Sequence, residues 1–165
     1  MRRWKQAAGV LGAVCALTLG VAGTASASPW TWQGYTTDSS WHCGSTEDLN
    51  GLYLKPCVKI SGAYWQPIMV ATATSQGRYV WSGQQGLYYA NGATWPTVTT
   101  DFYCTGNTGT DGIYYIPPWT SLACFNPTST NHDVLVEGLF NEKVWASPSG
   151  AEVQDDLSSP GIRTG

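Results

Sequence analysis

Charge is what this sequence has least of: Asp, Glu, Lys and Arg make up only 12% of its 165 residues, with eight basic side chains set against 11 acidic ones. So few cations cannot lay a positive face along a phosphate backbone, which argues against a nucleic-acid partner. Helix periodicity is also missing. No stretch of a dozen residues keeps a 3.6-residue apolar repeat, so a helical domain is not expected. Gly-x-Ser-x-Gly, His-Glu-x-x-His, the P-loop, the dinucleotide fingerprint and the EF-hand loop are all absent, and the enzyme classes they mark lose support. With two His and no Cys-x-x-Cys, the donor spacing of a structural zinc site is lacking, and neither metal nor cofactor is expected.

Only one long apolar run occurs, from Ala7 to Ala22, preceded by Arg2, Arg3 and Lys5 and followed by Ala25-Ser26-Ala27. Positive residues, a short apolar core and a small-residue site, in that order, read as a signal peptide over residues 1–27 cleaved after Ala27. The run falls short of the about 20 residues a spanning helix needs, and none follows it, so the mature protein should not span a membrane. Cys15 lies inside the run rather than at its end and does not mark a lipid anchor. Residues 28–165, 138 in number, fit one secreted extracellular domain. Cleavage removes three basic and no acidic residues, leaving five against 11 and a net charge of −6.

Four cysteines stay in the mature chain, Cys43, Cys57, Cys104 and Cys124, an even number suited to an oxidising compartment. Three pairings can be drawn. The sequential one, Cys43–Cys57 and Cys104–Cys124, brackets one short turn-rich segment with each bond and is favoured, each loop contributing roughly 3 kcal/mol in a chain-entropy account.

Aromatic residues, Thr, Val and Ser dominate what remains, a mixture that favours strands. Gly, Pro, Asn and Asp punctuate the chain every eight to fifteen residues, the spacing of an all-β sandwich or barrel. Strands are predicted at Tyr53–Ile60, Tyr64–Thr74, Arg78–Trp81, Val98–Cys104, Ile113–Ile116, Ser121–Phe125, Val134–Phe140 and Lys143–Ala146. The expected fold is an antiparallel β-sandwich, Ig-like in outline, of seven to nine strands with two local disulfides. Ile68-Met69-Val70-Ala71 is apolar without strict alternation, so its strand should be covered on both faces. Ser61-Gly62 should turn the chain, and Asn91-Gly92 predicts a two-residue type I′ hairpin with Tyr88 opposite Trp95. Residues 42–146 form the sandwich in this reading. Residues 28–41 are an aromatic arm or edge strand, and 147–165 a flexible acidic tail.

Catalytic candidates are weak. His42 and His132 read as surface residues, and the carboxylates Asp101, Asp111, Glu137 and Glu142 have no spacing that pairs them. Trp65, Trp81, Phe102, Trp145 and several tyrosines should be core or cross-strand pairs. Trp30, Trp32, Tyr35, Tyr88, Trp95 and Trp119 stand apart, in the arm, at the hairpin or beside Pro117-Pro118, and form the candidate recognition surface.

Several segments carry a resemblance: Trp41-His42-Cys43-Gly44, the run Lys55-Pro56-Cys57-Val58-Lys59-Ile60-Ser61-Gly62-Ala63-Tyr64-Trp65-Gln66-Pro67, Ala123-Cys124-Phe125-Asn126-Pro127-Thr128, and Trp145-Ala146-Ser147-Pro148. Across Trp41 to Pro148 the chain resembles small secreted proteins of filamentous actinobacteria, some of which are adaptors in umbrella-shaped antibacterial toxin particles. The resemblance implies a non-catalytic adaptor that engages a secreted protein partner through an extended N-terminal segment, here Trp30, Trp32, Tyr35 and Trp41. The alternative expectation is a carbohydrate or cell-wall binding module stacking sugars on Tyr88, Trp95 and Trp119.

Overall fold

The computed structural model describes residues 30–109 and 112–165. The signal-peptide reading, Ser28, Pro29 and Asp111 lie outside them. Two antiparallel sheets pack face to face, and no helix occurs among the described residues. In the first sheet β1 (Trp32–Gln33), β9 (Ser121–Phe125), β5 (Tyr64–Ala73), β4 (Leu52–Ser61) and β2 (Trp41–Cys43) lie in that order, with β3 (Glu47–Leu49) also on β4 and β10 (Ser129–Thr130) on β5. In the second the order is β12 (Glu152–Ser158), β11 (Leu135–Trp145), β6 (Arg78–Tyr89) and β7 (Thr97–Tyr103), with β8 (Tyr114–Ile116) on β6 and β13 (Ile162–Arg163) on β11.

Proline marks the seams of the first sheet. Pro56 falls where the neighbour of β4 changes from β3 to β2, and Pro67 where the neighbour of β5 changes from β10 to β9. Each turns its carbonyl to that seam, accepting from Gly44 N–H and Asn126 N–H respectively, so the missing proline N–H faces the break rather than a ladder.

Alternation sorts the side chains. Leu52 and Leu54 of β4, Met69 and Ala71 of β5, Val80 of β6, and Phe140 and Val144 of β11 point between the sheets and form one buried core. Cys104 and Cys124 are bonded within it. Cys124 lies on β9, whereas Cys104 follows β7 and donates its N–H to Ser82 of β6, so this bond ties the two sheets together. The sequential pairing therefore holds, although the second bond is local only along the chain. Cys43 and Cys57 are directly opposed partners of β2 and β4.

Both faces of the first sheet are covered, as the run Ile68-Met69-Val70-Ala71 requires. Residues 34–40 lead from β1 at one edge to β2 at the other, across the outer side of β9, β5 and β4. There Tyr35 and Trp41 pack on Ile68, Val70, Ala123, Phe125 and Cys57, closing a second small core. The Tyr35 hydroxyl and Ser121 Oγ are 2.9 Å apart, and the Trp41 ring meets Phe125 edge-on at 5.9 Å between centroids.

Several expectations are corrected. The 147–165 tail is not a loose end: β12 pairs with β11 over seven consecutive residues, from Leu139↔Ser158 to Trp145↔Glu152, and β13 closes on Leu135 and Val136. Its acidic residues lie along an outermost strand, Glu152 and Asp156 on one face and Asp155 on the other, with Leu157 as the buried anchor. Asn141-Glu142 does not break the chain into two strands, because β11 runs through it, and β6 extends through Gly83 to Tyr89. Among the described residues, thirteen short and long strands replace the expected seven to nine. At Asn91-Gly92 only the glycine has positive φ (79°), and Ala93 N–H donates to Ala90 O, a type II arrangement. Tyr88 pairs with Thr97 instead of Trp95, since Pro96 cannot supply the ladder N–H. The type I′ hairpin lies instead at Asn50-Gly51, with φ of 53° and 78° between paired Leu49 and Leu52.

Candidate functional site

The arm residues lie on the protein's own sheet. Trp32 pairs with Cys124 and is 5% exposed in the main core, its ring 6.1 Å from Tyr114. Tyr35 and Trp41 cover the first sheet as described, and Trp30 rests on Phe102 with its N–H donated to Phe125 O. The edge-strand reading of this segment describes Trp32–Gln33.

The three residues expected to stack sugars do not share a surface. Tyr88 points inward and packs with Val58, Trp65 and Val136. Trp95, 81% exposed, stands in the loop after β6. Trp119, 79% exposed, stands beyond its other end, its N–H donated to Thr74 O beside the β6–β8 pairing. A twelve-residue strand separates the two loops, roughly 36 Å at strand rise.

A different set of rings does converge, on the outer face of the second sheet. Tyr79 of β6 lies opposite Tyr115 of β8 and Trp145 of β11, and the next outward positions hold Trp81 opposite Lys143 and Gly83 opposite Tyr103. Tyr79 and Tyr115 are 4.9 Å apart, and Trp81 and Tyr103 lie near-parallel at 6.3 Å. Glycine makes room for these rings. A Cβ on Gly83 would lie 2.7 Å from the Trp81 benzo ring, one on Gly112 would lie 2.6 Å from its pyrrole side, and one on Gly77 would strike the Tyr115 hydroxyl. The Trp81 indole thus lies low over the sheet, with the Lys143 ammonium 5.7 Å from its centroid. Lys143 is held in turn by Glu152 at 3.4 Å.

Tyr79-x-Trp81 and Lys143-x-Trp145 already placed same-face neighbours by period two. What the chain did not reveal was that β11 continues through Asn141-Glu142, which brings Trp145 opposite Tyr79. The core expectation holds for Trp65, which is fully buried and donates its indole N–H to Asn131 Oδ1 at 3.0 Å. Trp81 and Trp145 face outward and are the cross-strand pairs that the same expectation allowed, Trp81 stacked on Tyr103 and Trp145 opposite Tyr79.

The carboxylates are scattered. Asp101 lies exposed on β7, and Glu137 accepts from the Tyr89 hydroxyl at 3.3 Å on the outer face of β11. Glu142, on the opposite face of the same strand, is fully buried between the sheets. Burial pushes its carboxyl well above the ordinary range, although Ser82 Oγ donates to it at 2.6 Å and pulls the other way. Gln84 completes this inner polar cluster through Ser82 Oγ and Cys104 Sγ. No group of three His, Cys, Asp or Glu suited to a metal occurs among the described residues. Nor is any helix there long and apolar enough to cross a membrane. The two disulfides accord with an oxidising compartment.

No protein-family model matches the chain, and no curated protein matches it.

Proposed function

We propose that this is a secreted, non-catalytic binding module whose recognition face is the outer side of the second sheet, formed by Tyr79, Trp81, Tyr103, Tyr115 and Trp145, and that its ligand is a carbohydrate or cell-wall polymer. One observation carries the reading: five rings converge on one open sheet face, with glycines at the places where side chains would otherwise lift them. Such rings offer π faces to the C–H face of a pyranose, whose slightly positive hydrogens meet the negative ring quadrupole. The neighbouring Lys143, Asn141 and Gln85 supply hydrogen-bonding groups for hydroxyls.

Depletion of the disulfide-bonded mature protein by washed bacterial cell walls and insoluble polysaccharides tests the reading. Retention that is lost in a Trp81→Ala/Trp145→Ala variant supports it. Equal behaviour of variant and parent, or no retention of either, overturns it.

A second reading keeps the adaptor role and moves its contact from the arm to Trp119. This residue has φ of 57° and is fixed between Pro118 and the backbone of Thr74. A bulky residue held in the left-handed region is strained, and strain of this kind concentrates at binding sites. Capture of a secreted protein in fixed ratio, abolished by Trp119→Ala and untouched by Trp145→Ala, would favour this reading over the first.

A further inference from the structure

Building on the carbohydrate reading, we infer that the polymer is an extended, uncharged, β-1,4-linked polysaccharide whose chain lies across the strands of the second sheet. The geometry of the ring row points there. Tyr115, Tyr79 and Trp145 are successive cross-strand partners on three adjacent strands. The outer two are therefore separated by two strand spacings, about 10 Å. In an extended chain of equatorially linked sugars each unit is turned over relative to the last, so like faces recur at every second residue, a disaccharide apart. Rings two strand spacings apart can take alternate units of one such chain. Trp81, one outward position further along β6, would meet a neighbouring parallel chain, which favours the surface of an insoluble polymer over a single threaded strand. The α-1,4-linked glucan of starch coils and cannot lie flat on the row.

Charge selects further. Asp101, Glu137, Glu152 and Asp156 all lie on this outer face by register, opposite Gln85, Leu87, Trp145 and Asn141 respectively. Of the two cations on it, Lys143 is paired with Glu152 beside the rings, and Arg163 lies at the far end, donating to Asp133 O. A polyanion would meet this rim with its own sign and be repelled.

The test is a retention series with the mature protein on chitin and cellulose (uncharged, β-1,4-linked), starch granules (α-linked) and cross-linked pectate (anionic). Retention on chitin or cellulose is expected. Tyr115→Ala and Trp145→Ala should each weaken it about 3–10-fold, the scale of one aromatic contact. Trp95→Ala should leave it unchanged. Circular dichroism and thiol titration on each variant confirm the fold and both disulfides, and Tyr79→Ser stands in for either variant that fails them. Preferential retention on starch or pectate would overturn this inference and leave the carbohydrate reading standing. Retention on none of the four, together with none on cell walls, would overturn both.

Discussion

The outer faces of the two sheets are built from different kinds of residue, mainly aliphatic on the first and aromatic on the second, and end in opposite states. On the first sheet Ile68, Val70, Ala123 and Phe125 would be bare, and the chain crosses over them with Tyr35 and Trp41, bonded in place by Cys43–Cys57. On the second sheet Tyr79, Trp81, Tyr103, Tyr115 and Trp145 are left open, with acidic residues around them and glycines beneath. Aliphatic side chains have only water to lose, so their face closes on itself. Aromatic rings with polar neighbours tolerate water and remain available to a partner. The covered face contributes to stability, and the open one is the place to look for function.

Unfastening the covered face should have the largest effect. Cys43→Ser/Cys57→Ser opens a loop with a sequence separation of 14, so unfolding should become easier by about 3 kcal/mol, or roughly 10 °C in melting temperature. Calorimetry of the purified variant checks this, and an unchanged melt would show that the crossing segment holds without its bond. Trp41→Ala leaves the bond and removes the ring from Phe125 and Tyr35. A loss of about 2–3 kcal/mol is expected for this half-buried residue, at or just below the usual range for large aromatic truncations.

The sheets also differ on their inner sides, because only the second carries buried Ser82, Gln84 and Glu142. Burial raises the Glu142 carboxyl well above its unfolded value. The stability this group allows is therefore full below the ordinary glutamate range near 4.5 and is lost as pH rises toward the raised folded value. Glu142→Gln keeps an acceptor for the Ser82 hydroxyl and removes the titration. Melting temperature followed from pH 4 to 8 should fall with pH in the parent relative to the variant, leaving Glu142→Gln the more stable at the upper end. Parallel curves would mean that Glu142 titrates normally.

How far the sequence foretold this comparison depended on the range of the interactions. Alternation, turn residues and the short cysteine brackets are local signals, and strand positions, the doubly covered β5 and the disulfide pairing followed from them. Asn50-Gly51 and Asn91-Gly92 show where local signals stop. The same dipeptide forms a type I′ turn between two leucines that can pair, and a different turn where Pro96 denies the ladder its donor. Which aromatics gather on one face is a matter of register between strands distant in sequence. Trp145 meets Tyr79 only because β11 stays extended through buried Glu142. The arm misled for a related reason: its ring spacing suits an exposed edge equally well, and only the apolar outer face of β5 and β9 determines where Tyr35 and Trp41 go.

The smallest expected effect tests the contrast most directly. Trp145 is as large as Trp41, but it stands on the open face, and its removal uncovers no buried aliphatic core. Trp145→Ala should shift stability by no more than about 0.5 kcal/mol, the range of ordinary surface substitutions. Denaturant unfolding of Trp41→Ala and Trp145→Ala side by side measures the difference. Equal losses would mean that the rings of the second sheet support one another as the first sheet's do, and the open face would then be structural. A loss confined to Trp41→Ala, with polymer retention weakened only in Trp145→Ala, would separate the stabilising face from the binding one.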